Sequence, residues 1–109
     1  MDFKVLLSPE ALSDLERIIA YIASHNPAAA EATGNRLLDT ALSLDTLAER
    51  GRLVPELQPT ELREIIFRSY RIIYRINHAD RIVEIVRFWH AARGFPHVPR
   101  TGLGDGTNE

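Results

Sequence analysis

Tyr70-Arg71-Ile72-Ile73-Tyr74-Arg75-Ile76-Asn77 alternates along its whole length. In an extended chain successive side chains point to opposite sides, so Tyr70, Ile72, Tyr74 and Ile76 share one face and Arg71, Ile73, Arg75 and Asn77 the other. The first set is predicted to pack on a core, and the second to put two arginines on an open face. On either side lie Leu62-Arg63-Glu64-Ile65-Ile66-Phe67 and Ile82-Val83-Glu84-Ile85-Val86-Arg87-Phe88-Trp89, both rich in β-branched and aromatic residues. The links Arg68-Ser69 and Asn77-His78-Ala79-Asp80 are too short for a crossover, so the three strands are expected as antiparallel neighbours. Both faces of each flanking strand mix apolar and charged residues, and the pattern alone does not set their register.

Upstream, Phe3-Lys4-Val5-Leu6-Leu7 reads as a short strand. Ser8-Pro9 then starts a helix: the hydroxyl accepts a backbone N–H, and proline at the first position removes no needed donor. Ala11, Leu15, Ile18, Ile19 and Ile22 recur at helical spacing, which predicts a helix over about 9–24. Asn26-Pro27 repeats the start signal. Leu37, Leu38, Ala41, Leu44, Leu47 and Ala48 continue the stripe, and Gly51 is expected as a left-handed stop. That helix would be roughly 36 Å long at 1.5 Å per residue. A link as short as His25-Asn26 folds the two helices back as an antiparallel hairpin. The order strand, helix, helix, three strands gives an α+β domain, with a helical hairpin on one face of a three-stranded antiparallel meander. One domain is expected over 1–95, and Pro96, Pro99 and Thr101-Gly102-Leu103-Gly104-Asp105-Gly106 point to a flexible tail over 96–109.

Composition narrows the chemistry. The 109 residues are 45% hydrophobic and 26% charged, enough apolar surface to fold. Without cysteine there is no disulfide framework, thiolate metal site or cysteine nucleophile. His25, His78, His90 and His97 have no metal-ligand spacing, and there is no glycine-rich phosphate loop, so no metal and no cofactor are expected. No apolar run approaches the roughly 18 residues of a membrane span, and the first residues lack the basic and apolar pattern of a signal peptide. A cytoplasmic location is expected. The net charge of −2 hides an asymmetry. Residues 1–49 carry three basic residues against eight acidic ones, whereas 50–100 carry ten arginines against Glu56, Glu61, Glu64, Asp80 and Glu84. Guanidinium forks suit phosphate and carboxylate, so the partner is expected to be nucleic acid or an acidic protein segment.

Four segments in order resemble the ParE/RelE superfamily of bacterial type II toxins. They are Val5-Leu6-Leu7-Ser8-Pro9-Glu10-Ala11 with Asp14-Leu15 and Ile18; Tyr21-Ile22-Ala23 with Asn26-Pro27 and Ala29-Ala30; Gly51-Arg52-Leu53-Val54-Pro55-Glu56-Leu57; and Leu62-Arg63-Glu64-Ile65 through Tyr70-Arg71-Ile72-Ile73-Tyr74-Arg75 to Val83-Glu84-Ile85, His90 and Arg93. The likeness covers about residues 3–93, and the helical hairpin and the Gly-Arg…Pro-Glu link look like the ParE side. It implies a cognate antitoxin as partner, with Arg71, Arg75 and Ile73 as candidate antitoxin-binding residues. ParE-like members inhibit DNA gyrase by binding it. RelE-like members cut messenger RNA in the ribosome, which needs a proton acceptor, a proton donor and a cation at the phosphate. His90, Glu64, Arg71 and Arg93 are the candidates for that chemistry. Nuclease members commonly carry a tyrosine a few residues past the arginine that follows the last strand. Here the position holds Phe95, which stacks but transfers no proton. A binding toxin and a nuclease both stand on the sequence, with the first favoured; a degenerate toxin kept only with its antitoxin is a third reading.

Overall fold

Ser8 and Asn26 start the two helices as their side chains allow. In the computed structural model, which describes residues 2–57 and 60–98, Ser8 Oγ accepts from Ala11 N at 3.0 Å and Asn26 Oδ1 from Ala29 N at 3.1 Å. Helix α1 (Pro9–Ala23) follows strand β1 (Lys4–Leu7), and α2 (Pro27–Leu42) turns back against α1. The contact is close at Gly34, where a Cβ would lie 2.8 Å from the Ile19 side chain.

α2 is shorter than the apolar stripe suggests. It ends at Leu42 and not near Gly51, so it is about 24 Å long at 1.5 Å per residue. The cause is hydroxyl chemistry. Thr40 Oγ1 donates to Arg36 O and Ser43 Oγ to Thr40 O, bonds that compete with the helical ladder. Two 3-10 turns follow, Ser43–Asp45 and Ala48–Arg50, separated by a left-handed Leu47 at φ 53°. Leu44 and Ala48 still reach the core, while Leu47 is exposed. Gly51 is extended, with φ −75°, so its predicted role as a left-handed stop is corrected. Glycine is needed there for room: a Cβ would lie 2.5 Å from Tyr74 Oη and 2.7 Å from Glu64 O.

The three predicted strands are β3 (Arg63–Phe67), β4 (Tyr70–Asn77) and β5 (Ile82–His90), paired antiparallel in sequence order. A two-residue strand β2 (Arg52–Leu53) adds to β3, and β1 lies parallel to β5, giving the order β1-β5-β4-β3-β2. The β4–β5 register shifts between Ile73 and Tyr74, so that Ile73 faces Arg87 and Tyr74 faces Ile85. Val86 is the extra residue, a bulge. It changes the parity of β5: Val83 and Ile85 point to the helices before it, and Phe88 after it. The mixed faces of that strand have this origin.

The helix-facing core joins Ala11, Leu15, Leu37, Ala41 and Leu44 to Ile72, Tyr74, Val83, Ile85 and Phe88. The opposite face of the sheet, expected to be open, has its own core of Val54, Leu62, Ile73 and Val86, over which Leu57, Phe95 and Val98 pack. Pro96 is buried and Val98 packed, so the chain at 96–98 is part of the fold; the remainder of the expected tail, 99–109, lies outside the described residues.

Tyr74 ties these layers together. Its hydroxyl donates to Ala48 O at 2.7 Å and accepts from Gly51 N at 2.9 Å, fully buried. Tyr74→Phe leaves both backbone groups without that partner and is expected to cost about 1–3 kcal/mol. Gly51→Ala is expected to cost a similar amount, roughly 1–3 kcal/mol, by overpacking against backbone and ring. Urea unfolding of the two variants measures this; an unchanged midpoint in Tyr74→Phe would contradict it.

Candidate functional site

Glu64 occupies the middle of β3 on the face away from the helices, with a side chain of zero exposure. A buried carboxylate requires partners. Arg71 Nε donates to its Oε1 at 2.6 Å and Arg52 Nε to its Oε2 at 2.7 Å. Arg71 then uses its other two nitrogens on Glu56, at 2.9 and 2.7 Å, a bidentate fork. The Phe95 ring covers the same guanidinium, 5.1 Å from centroid to Cζ. Arg71 is thus held charged, first by the Glu56 hydrogen bonds and then by Glu64.

Arg75 sits four residues on from Arg71, opposite Glu84 in the register, with Nε 3.3 Å from Glu84 Oε1 and a longer contact to Glu61. Arg87 reaches around the edge of β5, where β1 has ended. Its Nε and NH2 donate to the Asp14 carboxylate at 2.7 and 2.8 Å, and Asp14 also accepts from Phe88 N. Its third nitrogen donates to His97 O at 2.6 Å. Asp14 therefore satisfies an open stretch of sheet edge and anchors the segment after Gly94.

Arg71, Ile73 and Arg75 do point away from the helices, as alternation predicts. The expectation that they form an open surface is corrected: Ile73 is fully buried and Arg71 is 7% exposed, because Val54, Leu57, Leu62, Phe95 and Val98 cover this face.

His90 and Arg93 lie elsewhere. His90 pairs with Tyr70 at the end of β5, on the helix-facing parity, and the two rings meet edge to face at 5.1 Å. Its Nδ1 accepts from Ala92 N. Arg93 stacks on Trp89 at 4.1 Å, and Arg87 lies on the same ring at 4.8 Å. Tyr70, His90 and Arg93 line a cavity of about 600 Å³ with Asp14, Arg17, Ile18, Ala20, Tyr21 and Phe88. Burial, then the neighbouring Tyr21, raises the Tyr70 hydroxyl above its ordinary value of 10.0, so it stays protonated. The candidate nuclease set is consequently split: Glu64 and Arg71 bond each other on the face away from the helices, His90 lies on the helix-facing side at the end of β5, and Arg93, past the strand, has its guanidinium on the Trp89 ring. Sequence reading used Asp14 and Tyr21 only as part of the family likeness and gave none of Asp14, Arg17 and Tyr21 a place in the candidate site. Their spacing of three and four places them on one helix face, the signal that links them.

The sequence matches the model of the ParE toxin of type II toxin–antitoxin system, parDE, over residues 5–95. A search of curated proteins finds no significant match. Among solved structures, the chromosomal ParDE toxin–antitoxin system of P. aeruginosa superposes with a TM-score of 0.70 at 15% identity, covering 82% of this chain and 96% of that one. The RelBE2 toxin–antitoxin complex of Mycobacterium tuberculosis gives 0.62 at 21% identity, covering 83% and 92%. A free mutant RelE toxin of E. coli gives 0.50 at 18% identity, covering 86% and 88%. These structures share the fold, two helices against a mostly antiparallel five-stranded sheet.

The ion network makes two predictions. Arg71→Ala leaves buried Glu64 with only the solvent-facing Arg52, and is expected to cost about 3 kcal/mol. Arg52→Ala, at an exposed partner, is expected to cost less than about 1 kcal/mol; equal losses in denaturant unfolding would contradict the assignment. The second concerns pH. Hydrogen bonds from Arg71 hold Glu56 below its ordinary 4.5. A depressed folded-state value stabilises the fold above the unfolded value and loses that effect as pH falls through the folded one. The stability gap between wild type and Glu56→Gln should therefore be constant above pH 4.5 and shrink below it; a gap that widens in acid would refute this.

Proposed function

The chain belongs to the family of ParE toxins of type II toxin–antitoxin systems, and on that footing we propose that it arrests growth by binding DNA gyrase, with a cognate antitoxin holding it inactive. The observation that carries the choice of binding over RNA cleavage is the split of the candidate catalytic set. A phosphate clamp needs uncommitted cations beside a proton donor and acceptor. Within the candidate set, Glu64 and Arg71 bond each other away from His90, and Arg71, like Arg87, uses all three of its nitrogens inside the protein. Phe95 lies over Arg71 without a hydroxyl to contribute.

For the antitoxin, the helical hairpin is the favoured surface. Leu12 on α1 and Leu42 at the end of α2 are large apolar side chains exposed by 50% and 43%. An acidic, apolar antitoxin segment that folds on binding can cover such a surface despite its ordering cost. A cytoplasmic site of action fits this reading. No helix among the described residues is long and apolar enough to cross a membrane.

The test measures gyrase supercoiling and ribosome-dependent messenger RNA cleavage with the same purified protein. Supercoiling is expected to fall in proportion to toxin and to recover when the protein encoded beside it is added, with RNA intact. His90→Ala should leave that inhibition within about twofold, because the loss of a proton-transfer group lowers a rate by about 10²–10⁴-fold only where it does chemistry. Codon-dependent RNA cleavage abolished by His90→Ala would establish the nuclease reading and end this one.

A further inference from the structure

The cavity at the helix side of the sheet end is bordered by two arginines and several aromatic rings. Among the described residues Arg17 makes no hydrogen bond, ion pair or ring contact, and Arg93 contacts only the Trp89 ring. Both line this cavity. The carboxylate in its wall, Asp14, is already committed to Arg87 and Phe88 N. Two arginines without a carboxylate partner among the described residues therefore border one concavity.

The remaining lining is apolar and aromatic. Ile18, Ala20 and Phe88 provide the apolar part, with the rings of Tyr21, Tyr70 and His90 beside them. Tyr21 is 71% exposed and meets the His25 ring at a tilt, 5.2 Å between centroids, so much of its ring remains open to solvent. Tyr70 is half-buried, its hydroxyl is kept protonated by burial, and it has no hydrogen-bond partner among the described residues. Because His90 Nδ1 accepts from Ala92 N, the neutral imidazole carries its proton on Nε2. A volume of about 600 Å³ falls within the roughly 300–1,000 Å³ of small-molecule sites, which are mostly apolar with a few convergent polar groups.

We propose that this cavity binds a nucleoside 5′-monophosphate, its phosphate on Arg17 and Arg93 and its base stacked on Tyr21 and Tyr70. Planar guanidinium forks pair with phosphate oxygens two at a time. Aromatic side chains hold any base by its π-face, so the site favours a nucleotide with weak preference among bases. The proposal is independent of the gyrase reading, because the cavity is a property of the free protein. A small anion that fills it would brace α1 against the end of β5.

Trp89 is the single tryptophan of the chain and lies under the Arg93 guanidinium. Its fluorescence, backed by calorimetry, reads occupancy directly. The purified protein is titrated with AMP at low salt, and separately with adenosine, inorganic phosphate and an acidic tyrosine-containing peptide. AMP is expected to bind saturably, at least about tenfold more tightly than adenosine or phosphate, and to weaken as salt rises. Arg17→Gln and Arg93→Gln should each weaken it by about tenfold, and Tyr21→Ala by a similar factor. Arg81→Gln, which alters an exposed arginine paired with Asp2, should leave it unchanged. Absence of any AMP response at millimolar concentration overturns the proposal. So does phosphate binding as tightly as AMP, which would mark an adventitious ion only, or peptide binding without nucleotide binding, which would make the cavity a peptide site. A normal AMP affinity in the Arg17→Gln/Arg93→Gln double variant also overturns it.

Discussion

The carboxylate of Glu64, buried in the second layer of the sheet, constrains everything around it. A charge in that position persists only with hydrogen-bonded counter-charges on it. Arg52 supplies one, and with it the reason a two-residue strand stays on the sheet edge. Arg71 supplies the other, then carries the connection outward to Glu56 on the cover loop and to the Phe95 ring beyond the last strand. One acidic side chain thus links β2, β3, β4, the loop and the C-terminal segment. It also decides what the arginines are available to do: Arg71, 7% exposed and with every guanidinium nitrogen already bonded to a carboxylate, is held inside the fold.

The same logic accounts for the charge asymmetry of the chain. An acidic first half and an arginine-rich second half suggest a surface awaiting a partner. In the fold, part of that asymmetry closes on itself. Asp14 of α1 holds Arg87 of β5, Glu49 lies 3.4 Å from His78, and Asp2 lies near Arg81. The Asp14–Arg87 pair is well buried and geometrically bidentate, and it locks α1 to the sheet; the other two are exposed and add little. Arg17 and Arg93 have no carboxylate partner among the described residues, and both border one cavity.

Local signals were legible in the sequence and long-range ones were not. The caps at Ser8 and Asn26 act within three residues, and the alternation of Tyr70 to Asn77 is a property of one strand. Each is written in adjacent residues. The end of α2 was misplaced because the apolar stripe continues through Leu44 and Ala48 after the helical hydrogen bonds have ceased; burial follows the stripe, while the backbone follows the hydroxyls of Thr40 and Ser43. The register of β5 was illegible because a single bulge at Val86 reverses its parity. The cover on the second face depends on Val54, Leu62, Phe95 and Val98 meeting across the sheet, and no spacing rule connects residues so far apart in the chain. Glu64 stood among the candidates for RNA cleavage because a carboxylate can take up a proton. Its partners, Arg52 and Arg71, show that it is a structural anchor.

The most direct test of this account is the exchange behaviour of the arginine side chains. In an NMR spectrum of the protein, the Nε–H of Arg71 and of Arg87 should exchange slowly with water and keep their shifts when single-stranded RNA is added, whereas Arg17 should exchange at the rate of an exposed side chain. Rapid exchange at Arg71, or a shift of its Nε–H on adding RNA, would show a guanidinium available to phosphate and would contradict the claim that the sheet arginines are bound within the fold.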